Sequence, residues 1–175
     1  MSNSFDPERL FAEFTAKGVE FIVIGGIAAT LHGAARPTQD VDVLVARDGG
    51  NLARLSGALQ SLQAALRAGA DEPIKLTIDA DRLARGMNFS WTTEAGDIDT
   101  FGEVEGGFDY ASVVGAAWQA ITAAGTRIQV VSLPDLIAMK RASGRPKDQL
   151  ALLELTELLD LQQEGGPGSG RAVPS

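Results

Sequence analysis

The segment Phe21–Val45, FIVIGGIAATLHGAARPTQDVDVLV, constrains the fold more than any other part of the sequence. It opens with a run of β-branched and aromatic residues, which predicts a buried strand over Phe21–Ile24. Gly25-Gly26 ends that strand, because glycine allows a sharp turn and lets a ligand approach the backbone closely. A short helix is predicted over Ile27–Leu31. The segment therefore predicts a strand, a glycine turn, a short helix and then a second strand.

That second strand, Asp40–Val45, carries two acidic residues on one face. Because side chains alternate along a strand, Asp40 and Asp42 point the same way, with Cα atoms roughly 6.5 Å apart. Two carboxylates this close repel each other unless a cation holds both. A hard divalent cation, Mg²⁺ or Mn²⁺, fits such oxygen ligands, and Mg²⁺ often shares its site with substrate phosphates. Gly25-Gly26, at a helix N-terminus, is predicted to offer N–H groups to such a phosphate.

Neither the Gly-Gly turn nor the Asp-x-Asp pair is specific evidence of a nucleotide site on its own, since an Asp-x-Asp pair is more often a solvated strand face. Their order along the chain, with a strand, Gly-Gly, a short helix and then an Asp-x-Asp strand, is the more specific feature. GGIAATLHGAARPTQDVDVLV resembles the signature of the minimal nucleotidyltransferases with the DNA-polymerase-β-type fold. It most resembles the branch that contains AbiEii-like toxins and small antibiotic nucleotidyltransferases, in which Gly-Gly replaces the more common Gly-Ser. The resemblance implies an α+β nucleotidyltransferase fold, with a small mixed β-sheet flanked by helices and a helical C-terminus.

The resemblance also implies a third carboxylate, on a later strand beside the Asp-x-Asp strand. A strand is predicted over Asp97–Glu103, paired with a preceding strand over Met87–Thr92. The sequence GDIDTFGEV resembles the family's second acidic segment. On that match Asp99 is the third carboxylate and Asp97 is the alternative, although both could merely keep an exposed strand soluble. The predicted catalytic and metal-binding residues are therefore Asp40, Asp42 and Asp99.

Basic residues near both ends of this region are candidates for phosphate binding. The segments LPDLIAMK and RPKD resemble AbiEii-like sequences, and the resemblance places Lys140 and Lys147 near the active site. Arg36 is placed to hold a phosphate bidentately or to brace its loop. The predicted nucleotide-binding residues are Gly25, Gly26, Arg36, Thr38, Lys140 and Lys147.

The remaining elements follow from periodicity and from cap residues. Helices are predicted over Pro7–Lys17, Asn51–Ala68, Pro134–Ser143 and Lys147–Leu161, a strand over Ile74–Ile78, and a hairpin of Trp118–Thr122 with Arg127–Val131. Leu150, Leu153, Leu158 and Leu161 are predicted to face inward from the last helix. The chain is expected to form one domain over residues 1–163, followed by a disordered tail over 164–175.

Composition narrows the function classes. The net charge of −8 argues against broad nucleic-acid binding, which needs a basic surface. The absence of cysteine excludes thiolate zinc sites, disulfides and thiol catalysis. No apolar run reaches the roughly 20 residues that span a bilayer, and the N-terminus does not resemble a signal peptide. A cytoplasmic location without membrane contact is expected.

The predicted function is metal-dependent transfer of a nucleoside monophosphate from a nucleoside triphosphate, such as ATP, to an acceptor hydroxyl. The acceptor stays open between tRNA, protein and a small molecule, and the resemblance allows a toxin role with an antitoxin partner. One alternative is an inactive relative that binds a nucleotide or a partner protein. Another is a haloacid-dehalogenase-type phosphatase, since Asp40–Val43 mimics its Asp-x-Asp-x-Val motif. In that class, however, the acidic pair ends an apolar strand, whereas here it begins one.

Overall fold

The computed structural model describes residues 5–35, 37–67, 74 and 76–164, apart from the side chain of Lys147. The helices are α1 Pro7–Ala16, α2 Gly25–Leu31, α3 Gly49–Ser61, α4 Ala80–Arg85, α5 Tyr110–Val113, α6 Leu133–Ser143 and α7 Pro146–Glu164. The strands are β1 Phe21–Ile24, β2 Asp40–Val45, β3 Ala65–Leu66, β4 Asn88–Thr93, β5 Gly96–Phe101, β6 Glu103–Val104, β7 Phe108–Asp109, β8 Trp118–Ile121 and β9 Arg127–Val130. The predicted mixed sheet, flanking helices and helical C-terminus are confirmed.

The main sheet has seven strands in the order β3-β4-β5-β2-β1-β9-β8, and β6 and β7 pair separately. The strand β2 lies at its centre, antiparallel to β1 and parallel to β5. Ile24 lies opposite Asp42 on one side, and Asp99 lies opposite Asp42 on the other. Since residues in register share a face of the sheet, the topology places acidic residues of two strands side by side.

The hydrophobic core covers the face of β2 opposite to its aspartates. Val41, Val43 and Val45 are buried there, and Phe21 of β1 pairs with Val45 on the same face. The Phe21 ring packs against Phe11 and Phe14 of α1, with centroids 6.2 and 5.4 Å apart. This packing holds β1 and β2 from the core side of the sheet. The opposite face, which carries the aspartates of β2, is directed towards the cleft.

The helix predicted over Asn51–Ala68 is shorter and begins earlier. It starts at Gly49, where the Asp48 carboxylate accepts a hydrogen bond from the Asn51 N–H, and it ends at Ser61. Gln63 then takes a φ of 53° and turns the chain into β3, which pairs with β4. The leucine stripe is buried as far as Leu62, but Leu66 belongs to a strand. Strand pairing therefore ended a helix that periodicity alone would have continued.

Several other boundaries differ from the prediction. The predicted strand Ile74–Ile78 is wrong where it can be judged: Ile74 makes one bridge to Leu66, residues 76–78 are not a strand, and residue 75 lies outside the described residues. Met87 lies before β4 and is 52% exposed. The predicted strand Asp97–Glu103 runs instead from Gly96 to Phe101. Sequence periodicity also missed α4, whose N-cap is Asp79.

The inward face predicted for the last helix is wrong for three of its four leucines, whereas the fourth, Leu158, is partly buried and packs against the core. Leu150, Leu153 and Leu161 are 62–65% exposed, whereas Ala151 and Leu155 are buried. Leucines occur almost all round α7, so their spacing does not specify one face. The face is set instead by packing against α6 after the left-handed turn at Gly144, which has a φ of 60°.

The hairpin of β8 and β9, the helix α1 and the Ser132 cap of α6 are confirmed. Of the predicted tail 164–175, Glu164 ends α7 and the rest lies outside the described residues. In the described part of the chain, none of the helices combines the length and apolar character that a membrane span requires.

Candidate active site

Three carboxylates meet at the cleft face of the sheet. Asp40 and Asp42 come from β2, and Asp99 comes from the parallel neighbour β5. Each offers an oxygen within 4.8 Å of the others, and all three side chains are half-buried. The structure therefore brings the three predicted acidic residues together in a group that could hold a divalent cation.

Burial and neighbouring negative charge both disfavour the ionised form of Asp42. The pKa of Asp42 is raised from 3.8 to about 7, mainly by burial and then by the charges of Asp40 and Asp99. A hydrogen bond from the Gly26 N–H and the charge of Lys140 lower the same pKa, but they do not outweigh these causes. Near neutral pH, Asp42 therefore takes up a proton or needs a cation beside it.

Both glycines of the predicted turn lie where a side chain would not fit. Gly25 has a φ of 65°, and a β-carbon there would lie 2.0 Å from Asp42 Oδ2. A β-carbon on Gly26 would lie 2.7 Å from the Thr38 hydroxyl oxygen. The two glycines form the first turn of α2 instead of preceding it. The predicted helix start at Ile27 is therefore wrong. The Gly26 N–H already donates a hydrogen bond to Asp42.

Thr38 connects the loop before β2 to the cluster. Its hydroxyl donates a hydrogen bond of 2.7 Å to Asp40 Oδ1, which restrains the orientation of that carboxylate. Arg36, in the same loop, lies outside the described residues.

Arg67 is a site residue that the sequence did not reveal. It follows β3, and its guanidinium lies 2.6 Å from Asp97 Oδ2 and 2.8 Å from Asp99 Oδ1. Asp97 also accepts a hydrogen bond of 2.9 Å from the Thr92 hydroxyl. Asp97 is thus engaged by Arg67 and Thr92, while Asp99 belongs to the carboxylate cluster. No sequence signal marked Arg67, because its surroundings were predicted to be helical.

Lys140 reaches the cleft from α6 but is already paired. Its ammonium lies 3.0 Å from Asp148 Oδ1, and the Ser143 hydroxyl donates to Asp148 Oδ2 at 2.7 Å. Both charged side chains are largely buried, with 15% and 12% exposed. The pair joins α6 to the first turn of α7. The backbone of Lys147 lies in α7, and its side chain is outside the described part of the structure.

A cleft of about 350 Å³ joins these elements. This volume lies within the range of about 300–1,000 Å³ that is typical of small-molecule sites. Its wall contains the glycine pair, Thr38, the carboxylate cluster, Lys140 and Asp148. Arg145 and Glu105 also line it, and they form an exposed ion pair of 3.2 Å.

Comparison with known proteins identifies the family. The model of the nucleotidyl transferase AbiEii toxin family, described as a type IV toxin–antitoxin system, matches residues 9–143. The chain belongs to this family. Membership makes it a nucleotidyltransferase and confirms the resemblance found in the sequence. The phosphatase alternative is wrong, because Asp40 opens β2 and the family is a different one.

Two solved structures share the fold over most of their length. ANT(2'')-Ia in complex with adenylyl-2''-tobramycin is 15% identical, with a TM-score of 0.56 over 90% of this chain and 87% of that chain. The lincomycin-bound lincosamide antibiotic adenylyltransferase LnuA is 16% identical, with a TM-score of 0.56 over 89% of this chain and 99% of that chain. At these identities the likeness shows the fold alone. No curated protein matches the sequence.

Proposed function

We propose that this nucleotidyltransferase is metal-dependent and moves a nucleoside monophosphate from a nucleoside triphosphate to an acceptor hydroxyl at the cluster of Asp40, Asp42 and Asp99. The observation that carries the proposal is the grouping of these carboxylates, whose oxygens lie within 4.8 Å of one another. Family membership supports the reaction class, and the cluster supports its dependence on metal.

The donor set fits a hard divalent cation. All three ligands are carboxylate oxygens, which Mg²⁺ and Mn²⁺ prefer. Burial, followed by the charges of Asp40 and Asp99, raises the pKa of Asp42, and a cation bound beside it would favour its charged form. Asp40, Asp42 and Asp99 would hold the metal, which when bound supplies charge neutralisation for the triphosphate and a lower pKa for the acceptor hydroxyl.

The chain's own residues would position the reactants and move one proton. The acceptor oxygen attacks the α-phosphorus, a new O–P bond forms, and the bond to the bridging oxygen breaks. Pyrophosphate leaves with that electron pair, and Asp99 receives the hydroxyl proton. Much of the rate enhancement would come from orientation and charge stabilisation, as in other phosphoryl transfers.

The nucleotide would lie along the wall of the cleft. Gly25, Gly26 and Thr38 line the cleft beside the cluster, and the absence of side chains on the glycines lets phosphates approach the backbone. The Lys140 ammonium would contact the phosphates of the nucleotide while it keeps its ion pair with Asp148. Roles for Arg36 and Lys147 in phosphate binding stay predictions.

The acceptor is a small molecule, a protein or the end of a tRNA. The net charge of −8 disfavours a long RNA, because extended phosphate contacts need basic residues. The structural relatives are named for antibiotic ligands, and the family for a toxin–antitoxin system. An antitoxin partner is therefore part of the proposal, as is ATP as the nucleotide.

The test is a transfer assay with each ribonucleoside triphosphate, labelled at its α-phosphate, in a cell extract with Mg²⁺. Wild-type protein is compared with Asp42→Ala and with Asp160→Ala, which changes an exposed carboxylate of α7. The proposal expects label in one acceptor class with wild type and Asp160→Ala but not with Asp42→Ala. Label that persists with Asp42→Ala would contradict the site. Metal-dependent nucleotide binding without any labelled product would support the inactive binding module.

A further inference from the structure

Arg67 connects the proposed metal site to a carboxylate outside it. One of its terminal nitrogens contacts Asp97 at 2.6 Å and the other contacts Asp99 at 2.8 Å. Its backbone N–H donates to the Ser90 carbonyl oxygen at 2.8 Å, which fixes the start of the side chain beside β4. The guanidinium therefore reaches across β4 to two residues of β5, where a rigid fork can engage both.

The two partners of Arg67 differ in their other contacts. Asp99 belongs to the group with Asp40 and Asp42, which Asp97 does not join. Asp97 is held instead by the Thr92 hydroxyl at 2.9 Å. The side chain of Arg67 is 35% exposed and that of Asp99 is 20% exposed, so the pair is partly shielded from water. Asp97 thus gives the guanidinium a second carboxylate partner outside the cluster.

We propose that Arg67 is an internal counter-cation that competes with a divalent cation for Asp99 and so lowers the metal affinity of the site. Asp97 shares the guanidinium and thereby weakens its hold on Asp99. The inference rests on the proposed metal site. The guanidinium is a cation that lies 2.8 Å from Asp99 Oδ1, so it repels a divalent cation at the same carboxylate. The cluster would then be partly neutralised by Arg67 before metal binds.

Two substitutions should change metal affinity in opposite directions. Arg67→Met removes the competing charge with little loss of volume, and Mn²⁺ should bind about tenfold more tightly, which corresponds to about 1.4 kcal/mol. Asp97→Asn removes the sharing partner and one negative charge, and Mn²⁺ should bind at least about threefold more weakly. Arg67→Lys keeps the charge and should lie closer to wild type than Arg67→Met. Damage to the fold would weaken binding in every variant.

The experiment measures free Mn²⁺ by electron paramagnetic resonance during titration of each folded protein, without nucleotide. Arg9→Met is the matched control, because it removes an exposed arginine that pairs with Glu94 at 2.9 Å. Opposite shifts for Arg67→Met and Asp97→Asn, with Arg9→Met unchanged, support the inference. Unchanged or weaker binding in folded Arg67→Met overturns it.

Further outcomes separate this inference from the proposed function. If wild type binds Mn²⁺ no better than Asp42→Ala does, the proposed metal site itself fails, and the inference fails with it. If Arg67→Met does not fold, the Mn²⁺ affinities of Asp97→Asn and Arg67→Lys test the inference instead. Weaker binding in Asp97→Asn with near-wild-type binding in Arg67→Lys supports the inference, and equal or tighter binding in Asp97→Asn overturns it.

Discussion

At Gly25 the backbone passes close beside the Asp42 carboxylate. Its φ of 65° disfavours any residue with a β-carbon, and that β-carbon would lie 2.0 Å from Asp42 Oδ2. The sequence predicted a glycine turn for backbone freedom. The structure adds a second reason, which is the space that the Asp42 carboxylate occupies.

Gly25→Ala should destabilise the fold by about 1–3 kcal/mol and displace Asp42, with loss of transfer, because it combines backbone strain with overpacking. The control is Gly57→Ala in α3, where a β-carbon would meet nothing within 4 Å. There alanine should stabilise the helix by about 0.5–1 kcal/mol. Urea unfolding of both variants measures the difference. A Gly25→Ala protein as stable and active as wild type would contradict this account of the turn.

Asp42 makes the stability of the protein depend on pH. Its folded-state pKa of about 7 lies above its usual value of 3.8, so the folded state binds more protons than the unfolded state between these pH values. The free energy of unfolding therefore falls as pH rises through this window, and the full cost is present above pH 7. That cost is at most about 4 kcal/mol.

Asp42→Asn should therefore stabilise the metal-free protein at pH 8, while it abolishes transfer. Its advantage in melting temperature over wild type should shrink as pH falls towards 5, where the wild-type carboxyl is protonated. Thermal unfolding in EDTA across this pH range measures it. An equal advantage at both pH values, or none at pH 8, would be incompatible with a raised pKa.

At the scale of elements, the sequence predicted those helices and strands that are determined by residues close together in the chain. The strand β2 followed from alternation, α1 and α6 from their caps, and the β8–β9 hairpin from a glycine between two apolar runs. The end of α3 was predicted wrongly because the strand that follows it, β3, pairs with β4, a partner distant in sequence. Most of the inward face of α7 was predicted wrongly because leucines occur almost all round that helix. Strand β3 pairs with β4, and its Leu66 also bridges to Ile74.

Packing of α7 gives a direct test of the corrected face. Leu155 is fully buried, whereas Leu153 is 65% exposed. Leu155→Ala should cost about 2–4 kcal/mol of unfolding free energy, and Leu153→Ala should stay within about 0.5 kcal/mol of wild type. Chemical denaturation of the two variants measures this. Equal costs would mean that α7 packs through a different face.

At the scale of the whole molecule, the candidate site depends on one feature of topology. Asp40 and Asp42 were predicted from their spacing, and Asp99 by resemblance, but only the parallel pairing of β2 with β5 brings them together. The choice between Asp97 and Asp99 could not follow from sequence, because both lie on one face of one strand. Arg67 and Thr92 engage Asp97, and both come from elements on the far side of β5.

The most direct test of the central claim is therefore nucleotide transfer by Asp99→Asn and Asp97→Asn, compared at saturating Mg²⁺. Both substitutions remove one charge from the same face of β5, so general electrostatics is matched. Asp99→Asn should lose at least about 100-fold in transfer rate, and Asp97→Asn should stay within about tenfold of wild type. An equal loss in both variants, or full activity in Asp99→Asn, would contradict a site built on Asp40, Asp42 and Asp99.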